Sequence, residues 1–238
     1  MCLIVFAWKQ SADYPLLLAA NRDEFYARPA LTAAWWEEAP HVYAGKDLEA
    51  GGTWMGINKY GRFAAITNIR NGEGKKIGAP SRGKIVADFL SNDMSPSSYL
   101  QTLAAEAKDY AGFNLILGDA NDIYWFSNAQ QHAAQRLQPG VYGLSNASLD
   151  TPWPKVLQAK KQFEKLIQKS ASDQDYFELL ADTTQAPDYL LPQTGVSLEW
   201  ERLLSSIHIH SNDYGTRVSS LIKCHADGTA HLTERVLR

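Results

Sequence analysis

The chain has 238 residues, 45% hydrophobic and 21% charged, enough to bury a sizeable core in one large domain or two small ones. A net charge of −3 gives no global attraction for nucleic acid or an anionic membrane, and no apolar run approaches the roughly 18–20 residues of a membrane span. Two distant cysteines, Cys2 and Cys224, imply no disulfide framework and fit a reducing, cytoplasmic setting.

In chain order, Cys2 to Trp8 and Pro15 to Ala20 read as two strands around the polar turn Ser11-Ala12-Asp13-Tyr14. Both are nearly continuous apolar runs, as in strands covered on both faces. The first lacks a basic leader and reaches Lys9 and Gln10 too soon for a signal peptide. Asn21 to Pro29 is polar and ends in proline, which predicts a loop. Thr53 to Asn58 and Arg62 to Ile69 form a further strand pair around Lys59-Tyr60-Gly61. Ser81 is the expected N-cap of a helix over Lys84 to Leu90, and Ser95-Pro96 that of a second helix.

Phe113 to Leu117 and Ile123 to Phe126 flank a hairpin signal, and Val141 to Leu144 is another short strand. Val156, Ala159, Phe163, Leu166 and Ile167 recur at helical spacing, with Lys160, Lys161, Lys165 and Lys169 on the other side. Tyr176 to Ala181 and Ser197 to Leu204 suggest two more helices. Thr216 to Cys224 and Thr229 to Leu237 close the chain as strands. Hairpins instead of regular strand–helix alternation point to antiparallel sheets with helices packed outside, an α+β fold. No repeat, low-complexity tract or composition shift marks a linker, so residues 1–238 are expected to form a single domain.

Cys2 carries the sharpest chemical signal. Removal of Met1 would place a thiol and a free α-amine on one residue, and that amine, with an ordinary pKa of about 7.7–8.0, can take the thiol's proton. Alone, Cys2 is as well read as a small hydrophobe opening an apolar strand. If the first two strands form a hairpin, Asn21-Arg22-Asp23-Glu24 lies beside it. Asp23 would then orient the amine and Arg22 lower the thiol pKa. Neighbours leaving a strand point to different sides, so one of the pair would face Cys2.

Other motifs carry less. Gly78 to Ile85 nearly matches a phosphate-binding loop, but Ile85 stands where a hydroxyl should reach the metal and no apolar strand precedes it, so no nucleotide is expected. Arg70, Lys75, Lys76, Arg82 and Lys84 then read as a solvated basic stretch, or as a cover that grips an acidic ligand group. His208 and His210 share a strand face without a third ligand, so no metal site is expected. Trp35-Trp36 is core by default, or the wall of a flat apolar ligand site.

Met1-Cys2-Leu3-Ile4 followed by Ala20-Asn21-Arg22-Asp23-Glu24 resembles the NRDE family, also called the transport and Golgi organisation protein 2 family. Gly51 to Asn58, Ala65-Ile66-Thr67-Asn68, Ser81-Arg82-Gly83 and Tyr142-Gly143-Leu144-Ser145-Asn146 extend the resemblance in the same order. The family is similar to cysteine N-terminal nucleophile hydrolases, which implies a four-layer αββα sandwich. It also implies roles: Cys2 as nucleophile, Arg22 and Asp23 as its charge pair, Asn68 and Asn146 as oxyanion supports, and Arg217 as a late-strand arginine. Hydrolases of this type, such as the penicillin V acylases, space their arginine and aspartate apart, whereas Arg22 and Asp23 are adjacent.

For function, the resemblance implies an intracellular haem carrier, a haem chaperone that passes reversibly bound haem to acceptor proteins. The residues themselves argue for a rival, a Cys2-dependent hydrolase of a small acyl amide. The expected ligand is small and apolar or acidic, such as haem or an acyl compound.

Overall fold

Strand pairing, and with it the fate of the Asn21-Arg22-Asp23-Glu24 quartet, departs from expectation at the second element. The computed structural model describes residues 2–70, 78–130 and 132–238. Strand β1 is Cys2–Trp8, and β2 runs Leu16–Phe25, well past Ala20. The quartet is therefore strand, not loop. Its polar side chains raise no strand signal, but β2 pairs with β1 as far as Arg22 and with a long partner on its other side from Leu16 to Phe25, which holds the quartet extended.

Two strands follow, the edge strand β3 (Ala30–Trp35) and its inner neighbour β4 (Val42–Asp47). The sequence gives no sign of them, because β3 is largely exposed and lacks an alternating pattern. Trp36 fills the core and donates Nε1–H to the Ala44 carbonyl at 3.0 Å, whereas Trp35 is half exposed against Tyr43. Strands β5 (Met55–Asn58) and β6 (Phe63–Asn68) form the expected pair. Helix α1 (Gly83–Ser91) is capped by Arg82 without a side-chain bond, so the Ser81 hydroxyl is not its cap. Helix α2 (Pro96–Glu106) does begin at Ser95, whose Oγ accepts the Ser98 N–H at 3.2 Å.

Strands β7 (Phe113–Gly118) and β8 (Ile123–Ser127) are the predicted hairpin, followed by β9 (Gln135–Arg136) and β10 (Gly140–Leu144). Helices α3 (Pro154–Gln168), α4 (Asp173–Leu180) and α5 (Leu198–Leu204) precede the closing pair β11 (Tyr214–Cys224) and β12 (Ala230–Val236). Among the described residues no helix is long and apolar enough to cross a membrane.

The strands form two antiparallel sheets, ordered β10-β1-β2-β11-β12 and β3-β4-β5-β6-β7-β8-β9. Alternation along β1 explains its unbroken apolar run. Ile4, Phe6 and Trp8 enter the core between the sheets, while Leu3, Val5 and Ala7 pack with α3 and α4. On the far side, α1 and α2 cover the second sheet through Ile85, Phe89 and Leu100. The layers are thus helices, sheet, sheet, helices, the αββα arrangement that was expected.

Candidate functional site

Cys2 pairs with Arg22 across β1 and β2, so the chain start lies beside the quartet. Strand alternation then splits the quartet between two faces. Arg22 shares the inter-sheet face with Cys2, Ile4 and Ala20, around a cavity of about 10 Å³, room for roughly one water. Asn21 and Asp23 turn to the helix-covered face. Asn21 is structural: its amide donates to the Leu180 and Ile207 carbonyls at 2.8 and 2.9 Å and accepts from Ser219 Oγ.

On the inter-sheet face, burial and, less strongly, the Asp23 charge push the Cys2 thiol above its ordinary range, and a hydrogen bond from the Asp23 backbone N–H and the charge of Arg22 are among the influences that oppose them. The Arg22 guanidinium lies 4.3 Å from the Trp54 ring centre, and its Nη1 has no hydrogen-bond partner. Arg82 brings a second positive charge toward Cys2 while donating to the Gly112 carbonyl at 2.9 Å. It is held at the site, not solvated. Lys75 and Lys76 of the same basic stretch lie outside the described residues.

Trp54 can serve as the platform under Arg22 only because Gly45 has no side chain. A Cβ there would come within 2.2 Å of the indole ring. Gly45→Ala is expected to displace Trp54 and lower stability by about 1–3 kcal/mol, read from urea unfolding.

On the helix-covered face, Asp23 is 2% exposed and accepts the Thr216 hydroxyl at 2.6 Å. Burial raises its carboxyl pKa, and the charge of Lys155 is the strongest opposing influence. His208 faces the same carboxylate, and burial lowers its imidazole pKa. Arg70, just past β6, forms a buried ion pair with Glu201 of α5 at 3.2 Å and lies over Trp153.

Asn68 and Asn146 meet at the same strand ends. Asn146 Nδ2 donates to the Asn68 carbonyl at 2.8 Å, and the Arg70 N–H donates to the Asn146 carbonyl at 2.8 Å. Ser145 links this pair to β1, its Oγ donating to the Cys2 carbonyl at 2.9 Å. Arg217 stands apart. It occupies the β11 irregularity between Thr216 and Val218, and its guanidinium donates to the carbonyls of Arg28 and Arg238.

The structure therefore gathers Cys2, Arg22, Asp23, Asn68 and Asn146 at one end of the sandwich. It adds Trp54, Arg82, Lys155 and His208, which the sequence did not single out as one site. Lys155 also left a readable signal that the sequence reading passed over: it stands four residues before Ala159, on the apolar side of α3, away from the solvent-facing Lys161 and Lys165. Among the described residues, no three His, Cys, Asp or Glu side chains converge as for a metal ion.

Two facing antiparallel sheets sheathed in helices, with a cysteine opening a central strand, are the fold of N-terminal nucleophile hydrolases. A mutant of the conjugated bile acid hydrolase from Clostridium perfringens superposes with a TM-score of 0.58 at 9% identity, over 100% of this chain and 92% of that one. The Caenorhabditis elegans ortholog of N-acylethanolamine-hydrolyzing acid amidase does so with a TM-score of 0.54 at 11% identity, over 100% of both chains. Within that fold the chain belongs to the Transport and Golgi organisation 2 family, whose profile matches residues 1–238. The Transport and Golgi organization protein 2 homologs of Bos taurus and Homo sapiens are 38% and 35% identical to it, each over 99% of this chain and 92% of the relative.

Proposed function

We propose that the protein is a cysteine N-terminal nucleophile hydrolase that cleaves a small acyl amide. The observation that carries this reading is the Cys2 thiol itself: first strand, paired with Arg22, hydrogen-bonded by the Asp23 N–H, yet raised in pKa by burial. Such a thiol needs a proton acceptor to become a nucleophile, and removal of Met1 would supply one on the same residue. Both structural neighbours are named as hydrolases, one of a conjugated bile acid and one of N-acylethanolamines.

In the reaction, the α-amine takes the thiol proton and the sulfur attacks the amide carbonyl carbon. Asn68 and Asn146 lie at the strand ends where amide donors would steady the oxyanion. Collapse breaks the C–N bond, the α-amine returns its proton to the leaving nitrogen, and a thioester remains on Cys2. Water then adds to the thioester, releasing the acid and restoring the thiol. Arg22 and Arg82 attract the thiolate or an acidic group on the substrate.

Haem carriage rests on family resemblance. No step is routed through haem.

The deciding measurement is the intact mass of the protein purified from its own host, before and after exposure to a panel of acyl amides. Loss of Met1 and an acyl mass on Cys2 are expected. Retention of Met1 with no adduct would remove the base and sink the hydrolase reading, and a haem titration followed by absorbance would then decide for or against the carrier.

A further inference from the structure

Arg22 and Trp54 carry unused donors on the inter-sheet face. Arg22 is 6% exposed, yet among the described residues its Nη1 has no hydrogen-bond partner, the Cys2 sulfur included. The Trp54 Nε1–H is likewise buried and unpartnered. The carboxylates of Glu24 and Asp47 are turned to Arg28 instead, at 3.9 and 2.7 Å. A buried donor with nothing to bond costs free energy, so two in adjoining side chains call for an explanation.

Both are held in place. The Arg22 guanidinium lies 4.3 Å from the Trp54 ring centre, and the Trp54 ring packs onto Gly45. The backbone around Trp54 is fixed on either side. The Thr53 N–H donates to the Gly83 carbonyl at 3.1 Å, and the Trp54 carbonyl accepts the Ile66 N–H at 2.9 Å. Together with Cys2, the pairing partner of Arg22, the two side chains border the recess of about 10 Å³. That is room for about one water-sized group. When a thiol attacks an acyl carbonyl, the oxygen that gains charge is bonded to the attacked carbon, so it must lodge beside the sulfur. The recess is such a place. The Asn146 amide is already partly spent, because its Nδ2 donates to the Asn68 carbonyl at 2.8 Å.

We propose that Arg22 Nη1 and Trp54 Nε1 form an oxyanion pocket beside Cys2, which makes both side chains catalytic residues. This rests on the reading of Cys2 as a nucleophile. As the sulfur–carbon bond forms, the carbonyl π pair moves onto the oxygen, and the two N–H groups donate to it. When the bond to the leaving group breaks, the pair returns to the carbonyl and the oxygen stays in the pocket as that of the thioester. Donors that are already desolvated and fixed need no reorganisation at that moment, which is where such pockets gain their effect.

The test compares two reactions of the same thiol in the full chain. p-Nitrophenyl acetate acylates Cys2 through an oxyanion, forming the S–C bond and releasing p-nitrophenolate. Iodoacetamide alkylates it by displacing iodide, with no oxyanion. Both adducts are read as added mass on the Cys2 peptide. Trp54→Phe keeps an aromatic ring under Arg22 but removes one donor, so acylation should slow by about 10²–10³-fold while alkylation keeps the wild-type rate. Arg22→Lys keeps the charge and removes the guanidinium fork, and it should also lower the ratio of acylation to alkylation. Cys224, buried in β11, reports folding in the same samples, because it is alkylated only when the chain opens. If one variant fails to fold, the other decides. An unchanged ratio would overturn the proposal, and so would an equal fall in both rates, which would make the two side chains packing support for the thiol. A wild-type Cys2 that is alkylated but never acylated would overturn the pocket and the hydrolase reading with it. Selective loss of acylation without turnover of any acyl amide would support the pocket and count against the hydrolase reading alone.

Discussion

Cys2→Ala is expected to lower turnover of any acyl amide substrate by at least about 10³-fold and to abolish the thioester adduct, since no second thiol is near. Cys224, the other cysteine, is buried in β11 at the far end of the strand, and burial raises its thiol to about 12. It cannot substitute. The fold should survive. Cys2 is only half buried beside a cavity, so the lost sulfur should cost less than about 1 kcal/mol in a thermal melt. Full activity in Cys2→Ala would remove the nucleophile from the mechanism. Loss of folding would instead assign Cys2 to the core, the bland reading of the first strand.

The largest loss of stability is expected from Glu201→Gln. Glu201 answers a guanidinium that is almost fully buried, and its Oε1 also accepts the Thr194 N–H and hydroxyl at 2.8 and 2.6 Å. Glutamine keeps one acceptor but leaves Arg70 as an uncompensated buried cation, whose Nε and Nη1 already lack partners. Breaking such a pair from one side costs about 3–5 kcal/mol, whereas replacing both partners by apolar residues is often neutral. Chemical denaturation of Glu201→Gln should show that loss, and Arg70→Met with Glu201→Leu should recover most of it. Additive losses in the double variant would mean that the two residues act independently. Because the Arg70 N–H holds the Asn146 carbonyl, the single variant should also loosen the Asn68–Asn146 contact.

Much of the fold was legible because burial leaves a pattern. The unbroken apolar run of β1, the periodic face of α3 and the hairpin of β7 and β8 all follow from local spacing and turn chemistry. Strand β3 was not legible, since an exposed edge strand needs no alternation, and β4 was not because its second half, Gly45-Lys46-Asp47, is made of residues depleted in strands. The quartet was misread as a loop for a related reason. Its residues are polar, and polar residues in a strand are stable only when partners from distant segments meet them, as Thr216 meets Asp23 and Ser219 meets Asn21.

By itself, then, the sequence determined the antiparallel α+β character and the closeness of Cys2 to Arg22, because these rest on periodicity and on one hairpin whose register follows from its length. Only the tertiary structure decided which face each residue of the quartet serves. It also brought Arg82 and Trp54 to the Cys2 side of the quartet and His208 to Asp23, and turned Arg217 toward Arg28 and Arg238. The reason is physical. The charge balance of a buried site is set by groups far apart in the chain, and their proximity exists only once both sheets and α3 have packed.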